Sequence, residues 1–268
     1  MVSAETLLIC PTYSLQTTSD YALIAVRSFL ETTESGHCLV IDDASPGYDL
    51  QKMRELLSET EELFPGRLFV YRFPQWGGLT RSWNRGLLFA KEQKYRYAIA
   101  GNSDLLFTPG WLPPLEAAID AGYALAGPVT NAPGITSEGV ADVSKYVPNY
   151  RVTDDDAYLR KVSSQLQTRW TGKSVPVVGL NGFCLFAKTS RWFSGRYTHD
   201  LVFCPSNDYG RDGRVNPTPL MTLNEDELQD RWRQKDWKFA VAPASFVFHY
   251  RSVTRGVAYA KKGWFRRR

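Results

Sequence analysis

Along the first hundred or so residues, short apolar runs alternate with stretches whose apolar positions recur at the helical spacing of three to four. Residues 6–10, 37–41, 68–73 and 97–100 are apolar runs of strand length, and 21–30, 50–63 and 83–91 carry the helical period between them. This repeated strand–helix order predicts an α/β domain with a Rossmann-like, mainly parallel central sheet flanked by helices, because parallel neighbours need a crossover helix. Ligands in such sheets bind beyond the carboxyl ends of the strands. Those ends carry Pro11-Thr12-Tyr13, Asp42-Asp43-Ala44-Ser45 and Asn102-Ser103-Asp104, so polar side chains recur where a site should lie.

The second half is less regular. Over 131–174 the pattern is broken by Pro133, Gly134, Gly139 and Pro148 before a helix expected at 155–166, and 194–222 is rich in Gly, Pro and polar residues. Long irregular stretches in a compact domain are usually functional or mobile. The expected organisation is one domain over 1–250, with halves at about 1–110 and 111–250, then a basic tail at 251–268.

Composition narrows the function classes. A chain of 268 residues, 43% hydrophobic, can bury one sizeable core. It has no apolar run of about 18 residues, hence no integral membrane segment, and Met1-Val2-Ser3-Ala4-Glu5 lacks the basic flank of a secretory signal, so a cytoplasmic location is expected. Cys10, Cys38, Cys184 and Cys204 are widely spaced, which argues against zinc or redox motifs and fits buried thiols. The net charge is +4, but Lys261, Lys262, Arg266, Arg267 and Arg268 supply five positive charges, so basicity belongs to the tail. With Trp264 and Phe265, that tail suits a nucleic acid or an anionic surface; a solvated terminus explains it equally well.

The candidate chemistry lies in segments that follow one another in order. In Leu8-Ile9-Cys10-Pro11-Thr12-Tyr13 and Val40-Ile41-Asp42-Asp43-Ala44-Ser45, an aromatic face can stack on a base while a carboxylate accepts from an imide N–H or ribose hydroxyls. Tyr13 and Asp43 are the candidates, with Asp42 supporting the turn. Trp76-Gly77-Gly78-Leu79-Thr80-Arg81 leads into a helix whose start, with Arg81, favours phosphates, and Asn84 is either a ligand contact or a packing residue. Asn102 and Asp104 follow a buried strand at a spacing that can grip a divalent ion. Gly179-Leu180-Asn181-Gly182-Phe183, Asn224-Glu225-Asp226-Glu227 and Phe248-His249-Tyr250 complete the series.

In this order the segments resemble glycosyltransferase family 2 over residues 6–254. The resemblance implies the GT-A fold with a nucleotide-binding half at about 1–110 and an acceptor half at 111–250 that includes both irregular stretches, a nucleotide-sugar donor (a UDP-sugar by family habit) and inversion at the anomeric carbon. It implies Pro11, Tyr13, Asp43 and Arg81 at the nucleotide, Asn102 and Asp104 in place of an Asp-x-Asp motif, and Gly182 beside the sugar. Asp226 is implied as general base, and His249 joins Asp104 as ligand to Mg²⁺ or Mn²⁺, aided by Arg251, Ser252 and Thr254. Asn102 departs from the usual Asp and lowers the ligand charge. As the opener of a helix, Asp226 should be kept ionised by the N-terminal dipole, whereas Glu225 and Glu227 read as surface caps. His249 is also explicable as a buried histidine bonded to backbone.

The expected acceptor is a saccharide or glycolipid; a hydroxylated base in DNA, reached through the tail, is the alternative. A nucleotidyltransferase would carry a Gly-rich, basic loop after its first strand, which Cys10-Pro11-Thr12-Tyr13-Ser14 lacks. A non-catalytic nucleotide-, carbohydrate- or nucleic-acid-binding module is the remaining competitor, weakened by the retention of Asp104, Asp226 and His249.

Overall fold

The computed structural model describes residues 5–13, 19–133, 139–205 and 224–250. The first four strands, β1 (Thr6–Thr12), β2 (Gly36–Asp42), β3 (Leu68–Arg72) and β4 (Tyr97–Gly101), run parallel in the spatial order β3-β2-β1-β4. They are joined by α1 (Ser19–Thr32), α2 (Gly47–Leu63) and α3 (Leu79–Glu92). Successive strand residues point to opposite faces, and both faces of β1, β2 and β4 are covered, which is why they read as unbroken apolar runs, whereas β3 lies at the edge with Val70 exposed. Leu7, Ile9, Leu39 and Ile41 pack with Trp83, Leu87 and Ala90 of α3. Leu8, Cys10, Cys38 and Val40 pack with Ala25, Val26 and Phe29 of α1 and Met53 of α2. Each fully buried Leu, Ile or Val contributes about 1.5–3 kcal/mol.

The remaining elements are β5 (Leu105–Phe107), α4 (Leu112–Asp120), β6 (Leu125–Val129), α5 (Asp156–Trp170), β7 (Val175–Val177), β8 (Cys184–Lys188), α6 (Thr189–Ser194), α7 (Asn224–Arg233) and β9 (Phe239–His249). The sheet continues β4-β8-β6-β9-β5, with β7 also on β9. Only β5, β7 and β8 run against the rest, so six of the nine described strands share one direction and the sheet is mainly parallel. The helix expected at 155–166 forms, with the Asp155 side chain capping it by accepting from the Tyr158 amide at 2.7 Å. No element is expected from sequence at β5, α4, β6, β7 or α6; α4 nonetheless carries the proline pair Pro113-Pro114 in its first turn, where a missing N–H costs nothing.

The register of β6 on β9 slips between Pro128 and Val129, from partner Ala242 to partner Phe246. The bulge around Pro243 lets one strand pair with β6 and β7 at its start and with β5 at its end. It thereby delivers His249 opposite Leu105. The carboxyl ends of β1, β2, β4, β6 and β9 and the starts of β5 and β8 consequently meet along one edge.

All four cysteines are buried and none is in a disulfide, and burial pushes the Cys10 thiol up to about 12. No described helix is long and apolar enough to cross a membrane. The basic tail 251–268, with Arg251, Ser252 and Thr254, and residues 206–223 of the second irregular stretch lie outside the described residues.

Candidate active site

At one end of the edge, β1 and β2 finish in register, with Thr12 opposite Asp42 and the Asp43 amide donating to the Thr12 carbonyl at 2.8 Å. Pro11 is buried within β1, and half-buried Tyr13 follows. The Asp42 Oδ1 accepts from the Ser45 amide at 2.9 Å and from the Ser45 hydroxyl; its Oδ2 is buried without a hydrogen bond, 3.6 Å from Arg72 Nε. Ala44 takes φ 62°, a left-handed turn that lets two consecutive carboxylates serve different neighbours.

Asp43, the expected nucleoside ligand, is engaged by the Gly-rich turn. Its carboxylate accepts from the Gly77 amide at 3.1 Å, the Gly78 amide at 2.7 Å and the Arg81 guanidinium. Gly78 sits at φ 87°, so glycine is needed there, and a side chain at Gly77 would run into Arg81. Arg81, expected to face phosphates, lies 3.7 Å over the Phe73 ring and pairs with Asp43. Asn84 resolves as a packing residue: its Oδ1 accepts from the Val202 and Phe203 amides at 2.9 and 2.8 Å, and its Nδ2 donates to the Phe203 carbonyl at 2.9 Å.

The other end of the edge brings Asn102, Asp104, Gly182 and His249 together. The Asp104 and His249 side chains are 7% and 8% exposed, with Nε2 to Oδ1 at 3.1 Å. Five contacts hold this end together. Leu105 pairs with His249 across β5 and β9, and the Tyr250 amide donates to the Asp104 carbonyl at 2.9 Å. Phe183 stacks on the ring, centroids 5.3 Å apart and planes at 19°. Asn131, absent from the sequence reading, clamps the histidine backbone: Nδ2 donates to the His249 carbonyl at 3.0 Å and Oδ1 accepts from its amide at 2.8 Å. Finally, the Asn102 amide donates to the Phe183 carbonyl at 2.9 Å, tying β4 to the segment that carries Gly182.

His249 Nδ1 is buried with no partner. It is Nε2 that faces Asp104, and a carboxylate oxygen and an imidazole nitrogen 3.1 Å apart are a donor set that one divalent cation can share. The residues present therefore fit a divalent ion. Among the described residues no third His, Cys, Asp or Glu joins the pair, so Asn102 and the ligand's own oxygens would complete the shell.

The three acids that open α7 divide by environment. Glu225 accepts from the Gly182 amide at 3.2 Å, and Glu227 pairs with Arg231 at 2.8 Å, so both are more than surface caps. Asp226 makes no hydrogen bond or ion pair among the described residues. Burial raises its carboxyl above the ordinary range, Asp230 adds to the rise and Arg233 opposes it. The expected pull of the helix start toward the ionised form is opposed by desolvation, which shifts the carboxyl upward.

The chain matches the family described as Glycosyl transferase family 2 over residues 8–178. No curated protein matches it. Among solved structures it is similar to GalNAc-T7 with UDP, GalNAc and Mn²⁺ (17% identity, 92% of this chain and 44% of that one, TM-score 0.56). It is also similar to the mannosyltransferase PcManGT from Pyrobaculum calidifontis with GDP-Man and Mn²⁺ (13%, 92% and 57%, TM-score 0.54) and to S. aureus TarS 1–349 (14%, 91% and 60%, TM-score 0.53). At these identities the likeness is one of fold, and the chain spans about half the length of those proteins.

Proposed function

Since this chain belongs to glycosyl transferase family 2 and has the GT-A fold, we propose that it moves a hexose from a sugar nucleotide to an acceptor hydroxyl, with inversion. The observation that supports the reading is the buried Asp104–His249 pair at the strand-end edge, where Phe183 stacks on the histidine and Glu225 at the start of α7 accepts from the Gly182 amide next in the chain. The nucleoside lies at the ends of β1 and β2, stacked on Tyr13 and beside Pro11. Asp43 serves it by holding Gly77, Gly78 and Arg81 in place.

Asp104 and His249, with Asn102, would hold a divalent cation, Mn²⁺ or Mg²⁺, whose charge would offset that building on the departing diphosphate. Asp226 accepts the proton of the acceptor hydroxyl as that oxygen forms its bond to the anomeric carbon. The bond from that carbon to the diphosphate oxygen breaks on the opposite face, and its electron pair leaves with the nucleotide. Gly182, held by Glu225, lies beside the sugar in this reading. The raised carboxyl of Asp226 suits a base, since burial strengthens its proton affinity.

The acceptor in this reading is a saccharide or glycolipid, and the donor a UDP-sugar; both follow from the family resemblance. A base in DNA as acceptor rests on 251–268, outside the described residues. The test is donor hydrolysis with a panel of UDP-glucose, UDP-GlcNAc, UDP-GalNAc and GDP-mannose. Turnover of at least one donor should vanish in chelator and return with Mn²⁺ or Mg²⁺. Undiminished turnover in chelator would remove the cation from the proposal.

A further inference from the structure

Between β7 and β8 the chain crosses residues 178–182 without joining the sheet. Among the described residues, the backbone hydrogen bonds of this segment all go to one face of α7. Arg233 Nη1 donates to the Val178 carbonyl at 2.6 Å. Gln229 holds Leu180 at two points: Oε1 accepts from its amide at 2.6 Å and Nε2 donates to its carbonyl at 2.8 Å. Glu225 accepts from the Gly182 amide at 3.2 Å.

The rungs fall on residues four apart in the helix and two apart in the segment. Four helical residues rise about 6 Å and two extended residues span about 6.6 Å, so the two repeats match over three rungs. The ladder runs antiparallel to the segment and fixes the height of the helix to within a residue. Leu180, 2% exposed, anchors the middle rung. At the upper rung a Cβ on Gly182 would come within 2.7 Å of the Glu225 carboxylate, so glycine leaves room for that side chain to reach the amide. Phe183, next in the chain, stacks on His249 and accepts from the Asn102 amide.

We propose that Glu225, Gln229 and Arg233 are positioning residues that lock α7 in register with 178–182 and thereby set Asp226 at the height of the reacting sugar. The proposal rests on Asp226 as the base. A slip of one helical residue would move Asp226 by about 1.5 Å along the axis, and displacements of about 1 Å cost about a hundredfold in rate. Gln229 matters most, because it makes two of the four bonds.

The test measures hydrolysis of whichever of UDP-glucose, UDP-GlcNAc, UDP-GalNAc and GDP-mannose the protein turns over, as kcat and KM, together with the melting temperature. In the full chain, Gln229→Met should lower kcat about thirtyfold or more with donor KM within about twofold, on the scale of a displaced base. Glu225→Ala should act likewise, and Glu225→Gln, which keeps an oxygen for the Gly182 amide, should recover most of the rate. This partly exposed pair carries the test should Gln229→Met not fold. The double variant Asp226→Asn with Gln229→Met should be no slower than Asp226→Asn alone, because the ladder acts through Asp226.

An unchanged kcat in folded ladder variants, or a loss that adds in full to that of Asp226→Asn, would overturn the proposal while leaving the base in place. Near wild-type turnover by Asp226→Asn alone would remove the base assignment, and the ladder's role with it; the single variants separate the two results.

Discussion

Replacing Asp43 with alanine should act on stability first and on the nucleotide only through it. The carboxylate is 5% exposed and is the acceptor for the buried amides of Gly77 and Gly78. Each amide left without an acceptor costs about 1–3 kcal/mol, whereas Arg81, 27% exposed, can turn its guanidinium to water and adds little. Relief from burying a carboxylate offsets part of the loss, leaving a destabilisation of about 3 kcal/mol. For a domain of this size that is a fall of about 6–12 °C in Tm. Asp43→Asn, which keeps one oxygen but presents an NH₂ to amide donors, should recover less than half of it. The assay is thermal unfolding by circular dichroism, paired with UDP titration by calorimetry well below the transition. A variant that melts within about 2 °C of the wild type yet loses UDP affinity tenfold would refute the reasoning, because the carboxylate would then touch the nucleotide and not hold the turn.

Asn131→Ala removes both bonds that fix the His249 backbone and should raise the Mn²⁺ concentration for half-maximal turnover by about tenfold, the scale of lost ligand-orienting contacts, as measured by metal titration of donor hydrolysis. An unchanged midpoint would leave the clamp a purely structural feature. Because burial raises the Asp226 carboxyl and a base works only when ionised, turnover should rise with pH along an acid limb that lies above the ordinary aspartate value of about 3.9. That limb should disappear from the pH profile of Asp226→Asn.

The nucleotide-binding half was legible because its signals are local. Each strand of β1 to β4 is an apolar run, each intervening helix has its own period, and Asp43, Asn102 and Asp104 stand at strand ends that the topology alone makes a site. The rest was hidden for identifiable reasons. β5 and β7 are three residues each, too short for any period, and β9 is covered throughout, so its bulge leaves no trace in the pattern of apolar residues. Asn131 is an ordinary polar residue after a strand until β9 folds beside it, 118 positions later. The hold of Asp43 on the Gly-rich turn was equally out of reach. Adjacent acids in sequence look alike, and only the left-handed turn at Ala44 gives one of them to Ser45 and the other to the Gly77–Gly78 amides. Glu225, Gln229 and Arg233 do form a stripe at a spacing of four; a charged stripe on a helix says nothing of its partner until 178–182 is seen against it.

The measurement closest to the central claim compares wild type and Asp226→Asn in two readouts, sugar-nucleotide binding by calorimetry in Mn²⁺ and turnover by release of the free nucleotide. The substitution keeps shape and hydrogen bonding but removes the basic charge. Donor affinity should stay within about twofold while turnover falls about a hundredfold or more. Binding and turnover both preserved in the variant would contradict the account, as would a wild-type protein that binds sugar nucleotides in Mn²⁺ and turns none of them over.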